Sequence, residues 1–564
     1  MNNDPMKSPD TTSFRPLPDE LLRRHNFFDL YPFDGGGHFI QQAILGGGSD
    51  RELARRIVGE DALAPFRQAD GHIDYLRFEF WRTIERSCWI NRMYYVVPLA
   101  RVAWLDGDET LARRCAEALL DFHRRYRPPQ SAEEIVALNR RVLKARDEDY
   151  NCGNMEGATE YQWFDFQPAS RVLHTLYSLH FLRDFACITA EERAEIAEMV
   201  RENAEVIFLG EEALELHIGN HQMLRGLALL YAGSFLNEER FRKSGTRIVE
   251  YHVLNDYLPD GMLVDLSPSY HLFETWITRD AMRLAEFSPE AKARFRQAAA
   301  ICRSFTTPDG TSLVLNDGYP LRMDGFLESL GPIAEAPEEM LLPHAHIAVI
   351  HTPRWFAALD GTPVIGRFSH AHGGQIGLTL WTDGEPFVVE SGCCSYDDED
   401  FCSWFKSAEA HATMVVDGVG CTCIQGQCEC RHAAKIRTEA WQGHIVTMQA
   451  ISPAPEWEGV RWRRRLSWTP EECTVTDEIE SVTEHRFTFF FPCAPNVQIR
   501  QDGEKVTLKR NGTLLQLTRE SSHSLPWRIL SGKVMWEEKR RDAPRLSAEC
   551  ITGSFRVVWR FRRG

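Results

Sequence analysis

The sequence has no excess of basic residues: 81 aspartates and glutamates against 64 lysines and arginines give a formal net charge of -17. Because proteins neutralise nucleic-acid phosphates with lysine and arginine, this balance argues against a nucleic-acid partner. A negatively charged substrate would therefore need a local basic site on this chain.

The sequence also lacks a long apolar run. No window reaches the length of an apolar membrane span, and the N-terminus, MNNDPMKSPDTTSFRPLPDE, has no apolar segment of the secretory type. We therefore expect a cytoplasmic, soluble protein without a membrane partner. The composition leaves the oligomeric state open, and a homo-oligomer is one of the alternatives.

The 15 cysteines form no framework of disulfide spacings, and their odd number and scatter favour a reducing compartment. Cys421, Cys423, Cys428 and Cys430 follow the pattern C-x-C-x4-C-x-C. Four thiolates could hold a structural zinc, although the usual spacing is C-x2-C. The alternative is a hairpin on which alternate cysteines share one face without a metal.

The chain of 564 residues, with 43% hydrophobic residues, is too long for one ordinary core and predicts two or more domains. Residues 1–340 carry apolar residues at the three- and four-residue spacing of amphipathic helices. Residues 341–564 contain short β-branched and aromatic runs separated by turn pairs. We predict an N-terminal (α/α) toroid, an incomplete barrel of helical hairpins, followed by a C-terminal antiparallel β-sandwich.

The stretch from Arg367 to Val416 gathers three histidines and a carboxylate. His370 and His372 flank one residue, Glu390 ends the run FVVE, and His411 opens HATMVV. If the H-x-H pair lies on a strand, both imidazoles project from one face of a sheet. Two imidazoles and a carboxylate are a ligand set that zinc accepts. Unrelated surface histidines are the alternative, and the residues alone leave both open.

Two segments of the helical half could carry chemistry. In LHIGNHQMLRG, Asn220 and His221 begin a helix after a glycine, where side-chain and backbone donors suit a carboxylate, although Asn220 could simply cap the helix. In LPDGMLVDLSPSYHLF, a turn leads into Tyr270 at the start of another helix. Tyr270 is either a proton-transfer group in a cleft or a packing residue.

These motifs in this order, NHQMLRGLALL, DGMLVDLSPSYHLF, SHAHGG, VVESG and EAHATMVVDG, resemble the heparinase II/III family of polysaccharide lyases. The segments RWRRRLSWTPEECTVTDEIES and HRFTFFFPCAP are similar to the C-terminal sandwich of that family. The resemblance extends over roughly residues 150–500, and the order of the motifs is more specific than any one of them.

The resemblance implies β-elimination at a uronic acid residue, without hydrolysis. By similarity, Asn220 and His221 match residues that neutralise the uronate carboxylate, so that charge developing at C5 is stabilised. Tyr270 matches the tyrosine that acts as acid or base, and His370 matches its proton-transfer partner. A phenol with a pKa near 10 needs nearby positive charge to act as a base at neutral pH.

The resemblance also implies a zinc ion held by His372, Glu390 and His411, and no organic cofactor. The family more often has aspartate at the position of Glu390, and arginine at the position of Lys406 in WFKSAEAHAT. Lysine keeps the charge of arginine but loses its two-pronged hydrogen bonding, so the expected substrate contact of Lys406 differs from that of relatives.

The segment EYQWFDFQPASR supplies two further candidates for substrate contact. Trp163 could stack on a sugar and Arg171 could bind its charge in a toroid cleft; helix packing is the alternative for both. The expected partner is an anionic glycan that contains uronic acid.

Other functions remain open at this point. Glycosaminoglycans are favoured as substrates, but alginate and bacterial exopolysaccharides compete with them. A glycoside hydrolase on the same toroid fold would need a pair of carboxylates, for which Asp260 and Asp265 or Glu156 and Glu160 are candidates. A carbohydrate-binding protein without catalytic activity is the non-enzymatic alternative.

Overall fold

The computed structural model describes residues 14–15, 17–22, 49–75, 90–149, 161–365, 370–393, 398–426, 429–537 and 539–564. These residues form two compact units. The first unit comprises the described parts of Met1–Asp256 together with Trp276–Ala293, and the second comprises Tyr257–Thr275 together with Arg294–Gly564. Two of the boundaries fall inside helices, between Thr275 and Trp276 and between Ala293 and Arg294.

Helices dominate the N-terminal part of the described chain. They are α1 (Asp19–Leu22), α2 (Asp50–Val58), α3 (Val96–Asp106), α4 (Glu109–Arg125), α5 (Ala132–Asp149), α6 (Gln167–Leu182), α7 (Ala190–Ala213), α8 (Asn220–Phe235), α9 (Glu239–Asn255), α10 (Pro268–Leu284), α11 (Pro289–Ser304) and α12 (Asp324–Ser329). Helices α6 and α8 are buried along nearly their whole length, as expected of inner helices that contact neighbours on several sides.

Local sequence explains several helix boundaries. The side chains of Ser49 and Thr189 each accept a hydrogen bond from the backbone N–H three residues later. The carboxylates of Glu52 and Glu192 accept in turn from the backbone N–H of Ser49 and Thr189, so α2 and α7 both begin with a capping box. Gly107 ends α3 in the left-handed region, with φ 65°, where glycine has no steric penalty. Such caps satisfy backbone groups that the helix itself leaves without partners.

Strands dominate the C-terminal part. They are β1 (Glu339–Leu342), β2 (Ile347–His351), β3 (Trp355–Asp360), β4 (Gly377–Thr382), β5 (Glu385–Val388), β6 (Met414–Val416), β7 (Val419–Gly420), β8 (Cys423–Gln425), β9 (Glu429–His432), β10 (Lys435–Glu439), β11 (Ile445–Ile451), β12 (Arg461–Trp468), β13 (Glu472–Glu480), β14 (His485–Pro492), β15 (Gln498–Asp502), β16 (Lys505–Arg510), β17 (Thr513–Ser521), β18 (Trp527–Trp536), β19 (Lys539–Thr552) and β20 (Phe555–Arg563). Every pairing between these strands in the described part of the chain is antiparallel.

Three larger sheets build the second unit, and β8 and β9 form a separate two-stranded hairpin. The first sheet has the order β1-β2-β3-β4-β5, the second β10-β11-β12-β13-β20-β17-β16-β15, and the third β18-β19-β14-β6-β7. The second and third sheets share one core, in which Trp559 of β20 lies 5.2 Å from both Phe489 and Phe491 of β14 between ring centroids. This is the packing of a β-sandwich.

The first sheet is buried on both faces. Along β2, Ala348 and Ile350 belong to the sandwich core, whereas Ile347 and Val349 belong to a second cluster that includes Ile301 of α11. Alternation of side chains along a strand produces this division. It also explains why β2, β3 and β4 read as nearly continuous apolar runs in the sequence.

The predicted order of fold classes is confirmed, since a helical N-terminal region precedes antiparallel β structure. The domain boundary at residues 340 and 341 stays a prediction. Among the helices that the structure describes, none combines the length and apolarity needed to cross a membrane.

Candidate active site

Asn220 is the first residue of α8, and the residue before it caps the helix. Gly219 has φ 141°, a conformation that residues with a side chain rarely adopt, and its N–H donates to Asp256 Oδ2 at 3.2 Å. The N-cap interpretation of Asn220 is therefore wrong. Asn220 instead stands in the first turn of α8, where backbone N–H groups have no partners within the helix.

His221 follows in the same turn and is held by an aspartate that the sequence analysis did not identify. His221 Nδ1 lies 2.6 Å from Asp165 Oδ2, and the imidazole of His221 contacts the Phe166 ring at 4.3 Å between centroids. The His221 side chain is 55% exposed, whereas Asp165 is mostly buried. Because a carboxylate only accepts, Nδ1 donates to Asp165, and in the imidazolium form Nε2 can donate to a second carboxylate.

Asp165 is kept ionised by its neighbours. Burial acts to raise the pKa of Asp165, but His221 and the Arg225 guanidinium, whose Nη1 lies 2.8 Å from Asp165 Oδ1, outweigh it and hold this pKa well below its usual range. A permanently ionised carboxylate keeps its hydrogen bond to the His221 imidazole across the neutral pH range.

Replacing Asp165 with asparagine is expected to reduce the acid sensitivity of the helical unit. Because the folded-state pKa of Asp165 lies below its unfolded value, its contribution to stability is fully present above about pH 4 and is lost as pH falls towards the folded-state value. Thermal midpoints of wild type and Asp165→Asn should therefore differ by a constant amount between pH 7 and pH 5, and the difference should begin to shrink below about pH 4. Asp184→Asn, which removes an exposed ion pair with Arg183, is the control; an equal pH dependence in all three proteins would contradict the expectation.

In the β-rich unit, Tyr270 and His370 meet face to face. Their ring centroids lie 3.9 Å apart with an interplanar angle of 25°. Tyr270 is the third residue of α10 and is almost buried, while the His370 side chain is 21% exposed. The structure thus brings together the two residues for which the sequence predicts proton transfer.

Asp317 joins three of the predicted site residues. Its Oδ2 lies 2.9 Å from His370 Nδ1, and its Oδ1 lies 2.7 Å from His372 Nε2 and 2.8 Å from Lys406 Nζ. Burial acts to raise the pKa of Asp317, but the Lys406 ammonium and the two histidine hydrogen bonds hold it well below its usual range. Burial, followed by the Lys406 charge, lowers the pKa of His372 to about 4, so His372 is neutral at pH 7.

The neighbouring Asn316 fixes the backbone around this carboxylate. Asn316 adopts φ 57°, its Oδ1 accepts from the His372 N–H at 3.1 Å, and its Nδ2 donates to Leu266 O at 2.8 Å. Leu266 lies in the turn that leads into α10 and Tyr270. The turn Asn316-Asp317 therefore links the segment before Tyr270 to the H-x-H segment.

The predicted placement of the H-x-H pair on a strand is wrong. His370 and His372 precede β4, Glu390 follows β5, and His411 lies between a short helical turn and β6, so all four stand in connections at strand ends. Packing between these connections requires small residues. A Cβ added to Gly374 would lie 2.7 Å from His411 Cγ, so only glycine allows this approach.

The three predicted zinc ligands lie close to one another, and each has a partner in the structure: His411 contacts Glu390, and His372 contacts Asp317. His411 Nδ1 contacts Glu390 Oε1, His411 Nε2 lies 3.0 Å from Phe405 O, and the rings of His372 and His411 are 5.3 Å apart between centroids. Within the described ranges, no group of three such side chains is arranged to hold an ion. The buried His372 Nδ1, however, has no hydrogen-bond partner among the described residues. A buried imidazole nitrogen without a partner, near a second imidazole and a carboxylate, fits the donor chemistry of zinc.

The predicted substrate-binding residues are all enclosed by protein. Arg171 Nε donates to Asn203 Oδ1 at 2.9 Å, its guanidinium lies over the Trp163 ring at 4.8 Å, and burial lowers the pKa of Arg171 to about 9. Lys406 is buried, forms an ion pair with Asp317, and donates a hydrogen bond from Nζ to Ala371 O at 3.2 Å. These contacts give Trp163, Arg171 and Lys406 structural partners, and direct contact with a sugar stays a prediction for each of them.

The described residues show no metal site at the cysteine cluster and no catalytic pair among the carboxylates proposed for a hydrolase. Cys421 is buried in the sandwich core, Cys423 and Cys430 are free thiols on β8 and β9, and Cys428 lies outside the described residues. Asp260 accepts backbone hydrogen bonds from residues 344 and 345 at 2.7 and 2.9 Å, which is a structural role. Glu156 and Glu160 also lie outside the described residues.

Sequence reasoning missed Asp165, Asn316 and Asp317. Each stands beside a feature that could have drawn attention to it: Asp165 lies in the aromatic run WFDFQP, and Asn316 and Asp317 begin NDGYP. Asp165 and Asn316 both have positive φ, which aspartate and asparagine tolerate better than most residues. A turn signal in a sequence does not show which distant histidine the turn will contact.

Family models cover nearly the whole described chain. The model described as "Heparinase II/III N-terminus" matches residues 50–335, and the one described as "Heparinase II/III-like, C-terminal" matches residues 335–549. A curated heparin-sulfate lyase of Bacteroides thetaiotaomicron is 21% identical over 318 residues, which are 46% of this chain and 45% of that protein. The chain thus aligns with less than half the length of this curated relative.

Solved structures show the same fold at low sequence identity. A crystal structure of heparinase III matches 90% of this chain and 85% of its own, with a TM-score of 0.70 and 16% identity. A mutant heparan sulfate lyase from Pedobacter heparinus matches 91% of this chain and 83% of its own, with a TM-score of 0.61 and 16% identity. These matches show the fold, and the two family models, which cover the helical and the β-rich parts in turn, establish that the chain belongs to the heparinase II/III family.

Proposed function

We propose that the protein is a lyase that cleaves uronic-acid-containing glycans, with glycosaminoglycans favoured, by β-elimination. The observation that carries the proposal is the stacked pair of Tyr270 and His370, with His370 hydrogen-bonded to a buried aspartate. The membership of the family and the names of the relatives, a heparin-sulfate lyase and a heparan sulfate lyase, support this substrate class.

Elimination requires that a proton leave C5 of the uronate and that the bond between C4 and O4 break. One of Tyr270 and His370 takes the C5 proton, and the electron pair of that C–H bond forms the double bond between C4 and C5. A proton delivered to O4 by the other group or by the protonated base completes the cleavage, and O4 becomes the hydroxyl of the new reducing end. No water is consumed.

The C5 proton is weakly acidic because the adjacent carboxylate is already negative. We propose that Asn220 and His221 bind that carboxylate and lower the energy of the charge that develops on it. Their position in the first turn of α8 supports this role, since side-chain donors and backbone N–H groups of a helix N-terminus favour a negative group.

A panel of substrates tests the proposal. Heparan sulfate, heparin, chondroitin sulfate, hyaluronan and alginate, each as polymer and as oligosaccharides, are incubated with the protein, and ultraviolet absorbance is followed. The conjugated double bond predicts rising absorbance with at least one glycosaminoglycan. New reducing ends without absorbance would show hydrolysis instead, and a signal with alginate alone would reassign the substrate.

We further propose that His372, Glu390 and His411 hold a zinc ion. The support is the donor set of two imidazoles and a carboxylate, and the buried Nδ1 of His372 that has no partner among the described side chains. Bound zinc would supply a fixed positive charge that orders these connections. Every proton transfer described above is assigned to side chains of the chain itself.

Purified protein that has not been exposed to chelators is expected to contain about one zinc per chain. His411→Ala should lose most of it, because a zinc site with one fewer protein ligand binds far more weakly. Elemental analysis by mass spectrometry measures the ratio, and His485→Ala, which alters a histidine hydrogen-bonded to Asp417 and Thr483, is the control. Absence of any divalent ion from wild type would contradict the zinc proposal.

A further inference from the structure

Asp317 lies between the two members of the H-x-H pair, and the two histidines present different ring nitrogens to it. His370 uses Nδ1, at 2.9 Å from Asp317 Oδ2, whereas His372 uses Nε2, at 2.7 Å from Asp317 Oδ1. A carboxylate accepts and does not donate, so each contacting nitrogen carries the proton. In the neutral rings the proton-free nitrogen is therefore Nε2 in His370 and Nδ1 in His372.

We propose that Asp317 is a positioning residue that imposes these opposite tautomers on His370 and His372. His370 then presents the lone pair of Nε2 for proton transfer, beside the Tyr270 ring. His372 keeps its lone pair on Nδ1, where a metal ion can bind it. This nitrogen is buried and has no hydrogen-bond partner among the described residues. A single carboxylate thus sets the tautomer of His370 for proton transfer and that of His372 for metal binding. This inference rests on the proposed lyase function for the task of His370.

The surroundings of Asp317 keep its carboxylate in place. Lys406 Nζ lies 2.8 Å from Oδ1 and is itself buried, so the aspartate is paired with a fixed positive charge. The N–H of Asp317 donates to His370 O at 3.1 Å, which ties the carboxylate to the backbone of the residue that it orients. Neighbouring Asn316 binds the His372 N–H at 3.1 Å. Both histidines are thus held through backbone and side chain together.

Loss of the Asp317 carboxylate should release the ring orientation and tautomer of at least one of His370 and His372. Hydrogen bonds from the second nitrogen of a histidine fix its ring orientation and tautomer, and removal of such partners commonly costs about 10- to 100-fold in activity or metal affinity. Asparagine at position 317 offers one acceptor oxygen and an amide that donates, so it cannot accept from both rings in the present arrangement. At least one histidine would lose its tautomer preference.

Nitrogen-15 spectra of histidine-labelled protein test the inference without reference to catalysis. The resonances of the two histidines are assigned by their loss in His370→Gln and His372→Gln, and spectra are recorded where both rings are neutral. We expect a protonated Nδ1 in His370 and a protonated Nε2 in His372, and a shift towards mixed tautomers for at least one of them in Asp317→Asn. The same tautomer in both wild-type histidines, or unchanged tautomers in Asp317→Asn, would overturn the inference.

Two further variants separate orientation from damage to the fold. Asp317→Asn leaves the Lys406 ammonium buried without its counter-ion and could misfold for that reason. The double variant Asp317→Asn/Lys406→Met removes both charges, and we expect it to show the same mixed tautomers in a folded protein. Asp417→Asn breaks a second His-Asp hydrogen bond of the same unit, in which His485 Nδ1 lies 2.7 Å from Asp417 Oδ2, and should leave His370 and His372 unchanged.

Kinetics and metal binding then connect the tautomers to function. In Asp317→Asn we expect kcat to fall about 10- to 100-fold with little change in KM, and zinc affinity, measured by competition with a chelator, to fall by a similar factor. Partial recovery of kcat in Asp317→Glu would support orientation as the cause. If wild type cleaves no substrate of the panel, the lyase proposal fails, while the nitrogen-15 spectra still decide the role of Asp317.

Discussion

Replacing Tyr270 with phenylalanine is expected to reduce kcat about 10²- to 10⁴-fold, the range that positioned acid–base groups contribute. The phenol oxygen is the only group removed, and the ring that stacks on His370 at 3.9 Å remains. Packing in the small cluster of Tyr257, Leu263, Tyr270 and Ala298 should therefore persist. Steady-state rates of unsaturated product formation, with KM determined separately, measure the effect.

Tyr257→Phe is the matched control for that substitution. Tyr257 belongs to the same cluster and contacts the ring of another histidine, His271, at 5.8 Å between centroids. It should retain nearly full activity, because nothing in the proposed reaction uses its hydroxyl. Full activity of Tyr270→Phe in a folded protein would remove Tyr270 from the proton-transfer step.

Replacing Asp477 with alanine is expected to destabilise the β-rich unit by about 3–5 kcal/mol, the cost of leaving a buried charge without its partner. Asp477 accepts from Arg464 at 2.7 and 3.0 Å and from the indole N–H groups of Trp462 and Trp559 at 2.8 and 2.7 Å. Arg464 and Asp477 are both fully buried. Urea unfolding followed by tryptophan fluorescence reports directly on this cluster.

The same cluster reaches the candidate site, so its loss should affect function as well. Arg464 Nη1 donates to Ile376 O at 2.7 Å and to Ala412 O at 2.8 Å, and Ala412 follows the predicted zinc ligand His411. Glu478→Ala is the control on the next residue of β13: it removes a partly exposed partner of Arg465 and should cost about 0–1 kcal/mol. Equal stability losses in the two variants would contradict the account of the buried pair.

Much of the fold follows from local sequence. Three- and four-residue apolar spacing correctly predicts the helical region, and alternating or continuous β-branched runs correctly predict the strands of the second unit. The turn before Tyr270 is also predicted, since Asp260 and Gly261 form the bend that precedes α10. These features depend on neighbours in the chain, which a sequence displays directly.

The candidate site was predictable only in part. The residues Tyr270 and His370 were identified and lie in contact, but the assignment of the H-x-H pair to a strand was wrong, since both histidines lie in the connection before β4. Asp317 was missed because its importance comes from contacts 53, 55 and 89 residues away in the chain, with His370, His372 and Lys406. No local period encodes such contacts.

The burial of two cations that were predicted to bind substrate also lay beyond sequence reasoning. Lys406 was predicted to contact substrate because it stands where the family commonly has arginine, whereas the structure buries it against Asp317. Arg171 is likewise enclosed by Asn203, backbone carbonyls and aromatic rings. The amino-acid type predicts charge, and only the packing shows which groups surround that charge.

Mass spectrometry of the products from one defined uronic-acid oligosaccharide tests the central claim most directly. Elimination predicts two fragments whose masses add up to that of the substrate, one of them carrying the unsaturated uronate, and no oxygen-18 from labelled water at the cleaved bond. Fragments whose combined mass exceeds that of the substrate by one water, with the label incorporated, would show hydrolysis and contradict the account.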